Sequence, residues 1–481
     1  MELYRWSAAG AFRNRVADLL VLDEWWDDPN GEPINLYGRR RVGKSWLFRK
    51  FADGKPAVVL VAQESATAAA SLAEFARQLE PHLGVKPALT TVAELVDVLY
   101  QLGATQKVLA VIDEFPYLLG SSNVERRQTL TAIQAVMENR RDTSQLRLIV
   151  AGSLISEMER LQEPKSPLYG RLRPLDLRPL PFEDACALIV ADPIESLTRY
   201  AIAGGMPRYL AEFGSGDLSK RVISAVLDYR GGLFNEPANL LNNEVRTPGT
   251  YLSILSELSG GARQLGDVAA ALSMASAELT PYLATLESMR LAQKALPVGA
   301  SPGERRTAWR CSDHFVRFWF RFVRPYQAEL EAGADPAAYW AAIVEPNLAS
   351  HTAPLFEEVL QSWLRREYTG RVLGVGSWWG NSLNQLRRAK ERSTEEIDAV
   401  GIMRRKVVVV AEAKWTNGAM SADVLTDVRD YKVPALGQAG FDVTGYETVL
   451  ASRSGFTQSL VDLAAADNTV RLVDAATILT A

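Results

Sequence analysis

The segment from Gly38 to Ser45 has the residue types and the spacing of a phosphate-binding loop. It reads GRRRVGKS, which matches GxxxxGK[ST], and it lies between a short apolar run, INLY, and a helical pattern. Glycines allow a tight loop whose backbone N–H groups surround phosphate oxygens, and the following helix N-terminus adds partial positive charge. We expect Lys44 to reach the β and γ phosphates of ATP and the Ser45 hydroxyl to ligate Mg²⁺.

The predicted nucleotide-binding residues are the whole loop and the residue that follows it. The three consecutive arginines would give the loop a strongly cationic phosphate cradle. The alternative is that they are solvated or pair with nearby carboxylates. The set comprises Gly38, Arg39, Arg40, Arg41, Val42, Gly43, Lys44, Ser45 and Trp46.

Two carboxylates follow a second apolar run, VLAVI, in the segment VLAVIDEF. The run predicts a buried strand, and ligands of open α/β sheets bind at the carboxyl ends of such strands. We expect Asp113 to hold Mg²⁺ through water and Glu114 to orient or deprotonate the attacking water. The alternative is an acidic strand end that only caps a helix.

Four short apolar runs in the first half predict a parallel sheet. Continuously apolar strands are typical of sheets that are covered by helices on both faces, and helical patterns alternate with these runs. The predicted strands are Ile34 to Tyr37, Val58 to Ala62, Val108 to Ile112 and Leu146 to Ala151, and a long helix is predicted from Glu125 to Arg140.

A series of motifs between Phe12 and Leu210 carries a family resemblance. The motifs are FRNRVADL, LYGRRRVGKS, VIDEF, LIVAGS, LYGRLRPLDLRPLPFEDA and AGGMPRYL, in that order. The series resembles the archaeal-type AAA-related ATPases of the signal-transduction NTPase class, in which a winged helix follows the ATPase core. One departure is that Asn14 precedes Arg15, where the family often has glycine.

This resemblance implies three further site residues. Ser153 would act as a sensor between the acidic pair and the γ-phosphate. Pro207, in the segment GMP, would pack on the adenine. Arg171 would contact phosphate in the same chain or across an interface, and the alternative is that it pairs with a surface carboxylate.

The chain after Glu244 changes to short amphipathic helices. From Gly266 to Ala295 the pattern is helix, turn, helix, and a strand pair then ends near Trp309. The unit looks like a winged helix with residues 276–289 as its recognition helix. That helix carries little positive charge near its start, which favours an intramolecular lid or a protein-binding piece over a DNA reader. The aromatic helix HFVRFWFRFVRPY that follows is expected to pack in a core.

The segments EEID and VVVVAEAKW provide a second constellation of charged residues. Residues two apart in a strand point to the same face, so Glu412 and Lys414 project together. Asp398, on a neighbouring strand, could then share a divalent metal with Glu412. Lys414 would stabilise the charge that develops on an attacked phosphate.

The order FEE, WW, EID and EAKW, from Leu355 to Ala451, resembles the PD-(D/E)XK nuclease fold that commonly accompanies these ATPases. The resemblance implies that Glu357 is a fourth acidic position, with Glu358 as the alternative. A local basic excess fits a polyanion such as DNA, and the alternative is a degenerate nuclease fold with a solvated charged face. The basic residues are Arg365, Arg366, Arg371, Arg387, Arg388, Lys390 and Arg392.

The length, charge and composition of the whole chain limit the classes of protein to which it can belong. With 481 residues it is expected to form several domains, and a net charge of −4 gives no global attraction to nucleic acid. We see no apolar run of membrane-spanning length and no secretory signal, so the expected location is the cytoplasm, away from membranes. Cys186 and Cys311 are expected to be buried thiols.

The predicted fold class is α/β, with a P-loop NTPase core, a helical or winged-helix middle unit and a second α/β domain of the restriction-endonuclease type. The predicted domains are residues 1–245, 246–315, 316–354 (aromatic helix and linker) and 355–481. The leading hypothesis is an ATPase whose nucleotide state governs a DNA-interacting, nuclease-like domain. The main alternative is a nucleotide-controlled scaffold that binds nucleic acid or protein without cleavage, alone or as a homo-oligomer. A small-molecule P-loop kinase fits less well, because no acceptor lid is evident.

Overall fold

The computed structural model describes residues 4, 12, 14–301, 307–383 and 394–480. They form two compact units, which are described separately below. The first comprises Met1–Leu180 with Met206–Arg208, and the second comprises Pro181–Gly205 with Tyr209–Ala481. The four domain ranges predicted from the sequence stay predictions.

The first unit is built on a parallel sheet in the order β2-β3-β4-β1-β5. The four predicted strands are confirmed, and their ends move by at most one residue. The fifth, β5, was not predicted because it is short, polar and contains Pro174, features that a sheet tolerates only at its edge. The strands are β1 (Ile34–Tyr37), β2 (Ala57–Val61), β3 (Val108–Asp113), β4 (Leu146–Gly152) and β5 (Arg173–Asp176).

Helices cover both faces of this sheet, as its buried strands require. The predicted long helix, α5, begins where Ser122 and Glu125 form a reciprocal capping box, and α4 begins in the same way at Thr91 and Glu94. The helices are α1 (Val16–Asp27), α2 (Lys44–Ala52), α3 (Ala68–Leu83), α4 (Val92–Leu102), α5 (Asn123–Arg140) and α6 (Ile155–Arg160).

The strand order decides which residues can meet. Strand β4 lies between β1, which precedes the phosphate-binding loop, and β3, which ends at Asp113. All three strands run in the same direction, so their carboxyl ends share one edge of the sheet. Residues after β1, β3 and β4 are therefore brought together, although they are far apart in sequence.

The second unit begins with helices. Its aromatic helix, α15, buries Phe315, Phe318, Trp319, Phe320 and Phe322, which confirms the predicted core packing. The helices up to this point are α7 (Phe182–Ala185), α8 (Pro193–Ala203), α9 (Pro207–Phe213), α10 (Leu218–Val222), α11 (Glu236–Glu244), α12 (Pro248–Ser259), α13 (Leu265–Ala271), α14 (Ser276–Ser288) and α15 (His314–Phe322). The first two residues of α9 belong to the first unit.

Three short strands accompany α12 to α14. They are β6 (Arg263–Gln264), β7 (Ala292–Ala295) and β8 (Ala308–Cys311), and they form an antiparallel sheet in the order β6-β8-β7. The element order is thus helix, strand, helix, helix, strand, strand. Leu279, Leu283 and Leu286 of α14 are buried against this small core, which is the apolar face expected from their spacing.

A mixed sheet forms the C-terminal part of the second unit, in the order β13-β12-β11-β10-β9. Strands β9, β10 and β11 are antiparallel neighbours, whereas β11, β12 and β13 are parallel. The strands are β9 (Gly374–Asn381), β10 (Thr394–Met403), β11 (Lys406–Lys414), β12 (Glu447–Ser452) and β13 (Val470–Asp474).

The sequence pattern predicted fewer strands here, namely helix, strand, strand, helix, strand. The two edge strands lack a strong signal, because β9 contains three glycines and β13 is short with alternating polar residues. The helices around the sheet are α16 (Gln327–Glu331), α17 (Pro336–Tyr339), α18 (Leu348–Glu367), α19 (Ala422–Asp427), α20 (Val433–Gln438), α21 (Gln458–Ala466) and α22 (Ala475–Thr480).

Two further expectations concern the cysteines and membranes. Cys311 is buried, as expected, but Cys186 is only half-buried, because it lies in a short 3₁₀ turn after α7. Across the described ranges, we find no helix with both the length and the apolar character needed to cross a bilayer.

Candidate functional site

The phosphate-binding loop is shaped by its two glycines. Gly43 has φ of 101°, a left-handed conformation that favours glycine. A methyl group at Gly38 would lie 2.3 Å from the backbone oxygen of Leu177, so only glycine fits there. The loop leads into α2, whose first residue, Lys44, is buried and donates from Nζ to the backbone oxygens of Gly38 (2.7 Å) and Arg39 (3.3 Å).

The loop meets the strand-end carboxylate directly. Ser45 Oγ donates to Asp113 Oδ2 at 3.0 Å. Burial raises the pKa of Asp113 and the charge of Glu114 adds to this, while Ser45 and Lys44 oppose it. A hydroxyl and a carboxylate side by side fit Mg²⁺, which commonly takes one or two protein oxygens and completes its shell with water and phosphates.

Glu114 and Ser153 are also brought together. Glu114 adopts a left-handed backbone conformation with φ of 53°, at the turn after β3. Its Oε2 accepts hydrogen bonds from both the backbone N–H (3.1 Å) and Oγ (2.9 Å) of Ser153. The carboxylate is therefore held in one orientation beside Asp113, at the edge of the sheet that carries the loop.

The remaining loop residues have different surroundings. Arg40 pairs with Glu64 at 2.7 Å, so this arginine follows the local-pairing alternative. Arg39 and Val42 are buried, Arg41 is exposed with φ of 70°, and the Trp46 ring is exposed.

Arg15 is a residue of this site whose contact the sequence did not predict. It is buried, and its Nη2 donates to the backbone oxygen of Val42 at 2.8 Å. Its Nη1 donates to the backbone oxygen of Arg178 at 2.7 Å. Arg15 therefore ties the loop to the chain that leaves β5. The motif FRNRVADL was the available signal for this residue.

Pro207 and Arg171 lie in different places. A methyl group built on Gly43 would lie 3.8 Å from Pro207 Cγ, so Pro207 is next to the loop. Arg171 instead precedes β5, whose start pairs with the start of β1, and therefore lies at the opposite edge of the sheet. It pairs with Glu138, its Nε lying 3.1 Å from Oε1. The fold does not bring Arg171 to the loop of its own chain.

The second constellation assembles at the centre of the mixed sheet. Asp398 Oδ2, on β10, accepts a hydrogen bond from the backbone N–H of Ala413 on β11 at 2.8 Å. Glu412 is buried on β11, and Lys414 Nζ lies 3.9 Å from its Oε2. Asp398, Glu412 and Lys414 are therefore brought together. A second lysine, Lys432, lies closer to Glu412, with Nζ 2.7 Å from Oε1.

Adjacent glutamates on α18 have different partners. Burial raises the pKa of Glu357, and the charges of Asp398 and Glu396 add to this effect. Glu358 instead pairs with Arg310 at 2.8 Å. Glu357 is therefore the member of this pair that faces the carboxylates, and its role as a fourth acidic position stays a prediction.

The same electrostatics indicate a carboxylate that the sequence did not single out. Burial and the charge of Asp398 raise the pKa of Glu412. The pKa of Glu396 is also raised, by partial desolvation and the charge of Asp398, although its side chain is exposed at the surface. Glu396 is two residues before Asp398 on β10, and this spacing was the signal that could have identified it.

A metal ion at these residues would need ligands from outside the protein. Within the described residues, no three His, Cys, Asp or Glu side chains form a group that could hold a metal by themselves. Mg²⁺ is nonetheless commonly bound by one or two carboxylates together with water and substrate phosphates. The oxygen donors Asp398 and Glu412 fit that mode.

Three of the predicted basic residues around this site are engaged locally. Arg365 donates to the backbone oxygen of Val375 at 2.7 Å, Arg366 pairs with Glu183 at 2.8 Å, and Arg371 pairs with Glu447 at 2.6 Å. Arg387, Arg388, Lys390 and Arg392 lie outside the described residues.

Two family models match the chain. Residues 12–213 match the model of an ATPase domain that occurs predominantly in Archaea. Residues 319–427 match the model of a family described as archaeal and bacterial proteins of unknown function. The chain therefore carries a nucleotide-binding ATPase domain of P-loop type followed by a domain of a second, functionally undescribed family.

Sequence relatives include two proteins of Methanocaldococcus jannaschii. An uncharacterized protein is 26% identical over 415 residues, which cover 84% of this chain and 87% of the relative. An uncharacterized ATP-binding protein is 46% identical over 44 residues, which cover 9% of this chain and 75% of the relative.

Solved structures with similarity to the chain include two archaeal proteins. The Walker-type ATPase of Pyrococcus abyssi has a TM-score of 0.48 and 19% identity, and the match covers 66% of this chain and 99% of that protein. The ORC2 protein of Aeropyrum pernix, solved with ADPNP and ADP, has a TM-score of 0.42 and 12% identity, covering 69% and 99%.

Proposed function

We propose that this protein hydrolyses ATP with Mg²⁺ at the first site, and that its nucleotide state governs metal-dependent cleavage of DNA at the second. The observation that carries the first half is the hydrogen bond from Ser45 to Asp113. It joins the phosphate-binding loop to the strand-end carboxylate, which is the pairing that a Mg²⁺-nucleotide requires.

The residues of the first site have separable roles in hydrolysis. Lys44 would exchange its two backbone acceptors for phosphate oxygens, and Glu114, held by Ser153, would orient the attacking water and accept its proton. Ser45 and Asp113 would hold Mg²⁺, which neutralises charge on the β and γ phosphates. Pro207, beside the loop, is placed to pack on the adenine. Arg171 would act only across an interface in a homo-oligomer, because in its own chain it lies at the far edge of the sheet.

The ATP-binding half is tested with Lys44→Ala. Binding of a fluorescent, non-hydrolysable ATP analogue in the presence of Mg²⁺ is measured for the wild type, for this variant and for Lys86→Ala. The control lysine is exposed and lies in the loop between α3 and α4. We expect binding to be lost only in Lys44→Ala, and equal binding by all three proteins would contradict the proposal.

The second half is supported by the half-buried Asp398 and the buried Glu412 on neighbouring strands, and by the lysine beside them. Asp398 and Glu412 would hold a divalent cation, which lowers the charge on a phosphodiester and activates water. Lys414 is exposed enough to reach a substrate phosphate. The test is cleavage of single- and double-stranded DNA with Mg²⁺ or Mn²⁺ by the wild type, Asp398→Asn and Glu412→Gln. Only the wild type is expected to cut.

The order of α12, β6, α13, α14, β7 and β8 supports a winged helix in the middle of the chain. After β7, the backbone N–H of Val298 donates to the oxygen of Ser377 on β9 at 2.8 Å. The exposed start of α14 carries Ser276, Glu278 and Thr280 and offers no cation to DNA. These contacts favour an intramolecular role for the winged helix, as a connection to the C-terminal sheet.

A nucleotide-controlled scaffold is the second candidate. Arg366 and Arg371 are already paired with carboxylates, which leaves less positive charge for a polyanion than the sequence indicated. DNA binding or protein binding without cleavage, under conditions in which ATP is hydrolysed, would favour the scaffold. Cleavage that changes with Lys44→Ala would favour the coupled nuclease.

A further inference from the structure

Glu412 has two lysine neighbours, and they differ in distance and burial. Lys432 Nζ lies 2.7 Å from Oε1 and Lys414 Nζ lies 3.9 Å from Oε2. The Lys432 side chain is 10% exposed and that of Lys414 is 41% exposed. Only Lys432 is both buried and within hydrogen-bond distance of the carboxylate.

The position of Lys432 follows from the local fold. It ends a π-helical turn, Val428–Lys432, which lies between α19 and α20 and packs through Val428 on the core of the mixed sheet. A π turn is rare in proteins and frequently occurs at a functional site. Here it directs Lys432 at the sheet, where Nζ also lies 3.8 Å from Asp427 Oδ2.

Glu412 requires a buried cation. Its side chain is only 1% exposed, and a buried carboxylate beside other carboxylates is costly unless it is paired. Lys414 is too distant and too exposed to compensate this charge. Lys432 therefore forms the close ion pair at Oε1, and Oε2 lies on the side of Lys414.

We propose that Lys432 is a positioning residue of the second site, which anchors Oε1 of Glu412 so that Oε2 is presented to a divalent cation. This inference rests on the proposed metal-dependent function of that site. The two lysines then have different roles: Lys432 orients the metal ligand Glu412, and Lys414 faces the substrate phosphate. The opposite role would be competition, in which the ammonium of Lys432 occupies the carboxylate and weakens metal binding.

The test is Mn²⁺ binding by the full-length protein without nucleotide, measured by isothermal titration calorimetry. The heat that disappears in Asp398→Asn identifies binding at this site. We expect Lys432→Met to weaken this binding about 10- to 100-fold, which is the usual effect of losing a residue that orients a metal ligand. Lys406→Met is the matched control, because Lys406 is an exposed lysine at the start of β11, and its Mn²⁺ affinity is expected to stay within about threefold of the wild type.

Two conservative variants complete the design. Lys432→Arg keeps the charge and is expected to recover most of the affinity. Lys432→Gln keeps a hydrogen-bond donor without the charge, and it replaces Lys432→Met if circular dichroism shows that the latter does not fold. For Lys432→Gln we expect an affinity loss of about tenfold.

The outcomes separate this inference from the proposed function. Wild-type affinity, or tighter binding, in folded Lys432→Met or Lys432→Gln would overturn the positioning role and leave the metal site standing. An equal loss in Lys406→Met would also overturn it, because the loss would then not depend on the contact with Glu412. A wild type that binds no Mn²⁺ would remove the metal site itself, and the positioning role with it.

Discussion

Replacing Arg15 by methionine tests how the nucleotide loop is held in shape. Arg15 is buried and donates to the backbone oxygens of Val42 and Arg178, which flank the close approach of Gly38 to Leu177. Methionine fills a similar volume but has no donor. The substitution therefore removes both backbone hydrogen bonds, and also the ion pair between Arg15 and Asp18 (3.4 Å), with little change in packing.

The expected magnitude follows from those two bonds. A hydrogen bond to a charged group contributes about 1.5 to 3 kcal/mol to stability. Met side-chain packing offsets part of this, so we expect Arg15→Met to lower the free energy of unfolding by about 3 kcal/mol. If about 1.4 kcal/mol of the loss falls on the loop conformation that binds phosphate, nucleotide affinity falls about tenfold.

Two measurements check this prediction. Urea denaturation gives the change in unfolding free energy, and fluorescence titration with an ATP analogue and Mg²⁺ gives the change in affinity. The matched control is Arg77→Met, because Arg77 is an exposed residue of α3. If Arg15→Met matched that control in both measurements, Arg15 would not hold the loop and the reasoning from its two contacts would be wrong.

Three further predictions follow from single contacts. Glu114→Gln should keep ATP affinity and lower the rate of phosphate release by at least about 100-fold, because the amide cannot accept a proton. An unchanged rate of phosphate release would exclude this glutamate as the general base. Gly38→Ala should weaken ATP-analogue binding at least about tenfold, because its methyl group would meet a backbone oxygen at 2.3 Å. The control is Gly249→Ala, whose methyl group would meet nothing within 4 Å, and its binding of the analogue should be unchanged. Burial lowers the pKa of His314 to about 4 and that of His351 well below its usual value. Between about pH 6.5 and 4 the unfolded chain therefore binds more protons than the folded protein. The free energy of unfolding should thus fall as the pH drops from about 6.5 to 4. His314 alone contributes about 3 kcal/mol to this fall, and urea titrations of His314→Gln and His351→Gln across that range should show a shallower dependence if the reasoning holds.

The elements that hold the first site could be predicted because their signals are local. Strands β1, β3 and β4 are continuously apolar, and the loop motif directly follows β1. The edge strand β5 could not be predicted from the sequence. An edge strand needs no continuous apolar run, and one side of it makes no hydrogen bonds to a neighbouring strand, so Pro174 is tolerated there. The far-edge position of Arg171 depends on β5, which is why the sequence left its role open.

The residues that were missed act through contacts that are distant in sequence. Arg15 reaches a carbonyl 27 residues away and another 163 residues away, and no local pattern encodes either contact. Lys432 ends a π turn and reaches Glu412 on β11 across the fold. Its signal was a lysine four residues after Val428 on the apolar face of a helix, where a cation is unexpected unless it has a buried partner.

The pair Glu357 and Glu358 shows why residue identity alone does not assign a role. Adjacent helix positions point about 100° apart, so one can face the mixed sheet while the other faces β8 and α15. Glu358 meets Arg310 at 2.8 Å and its pKa is lowered, whereas burial and the charges of Asp398 and Glu396 raise the pKa of Glu357. A divalent metal held by Asp398 and Glu412 would lower the pKa of Glu357 again, so the electrostatics of this helix fit the proposed metal-dependent function.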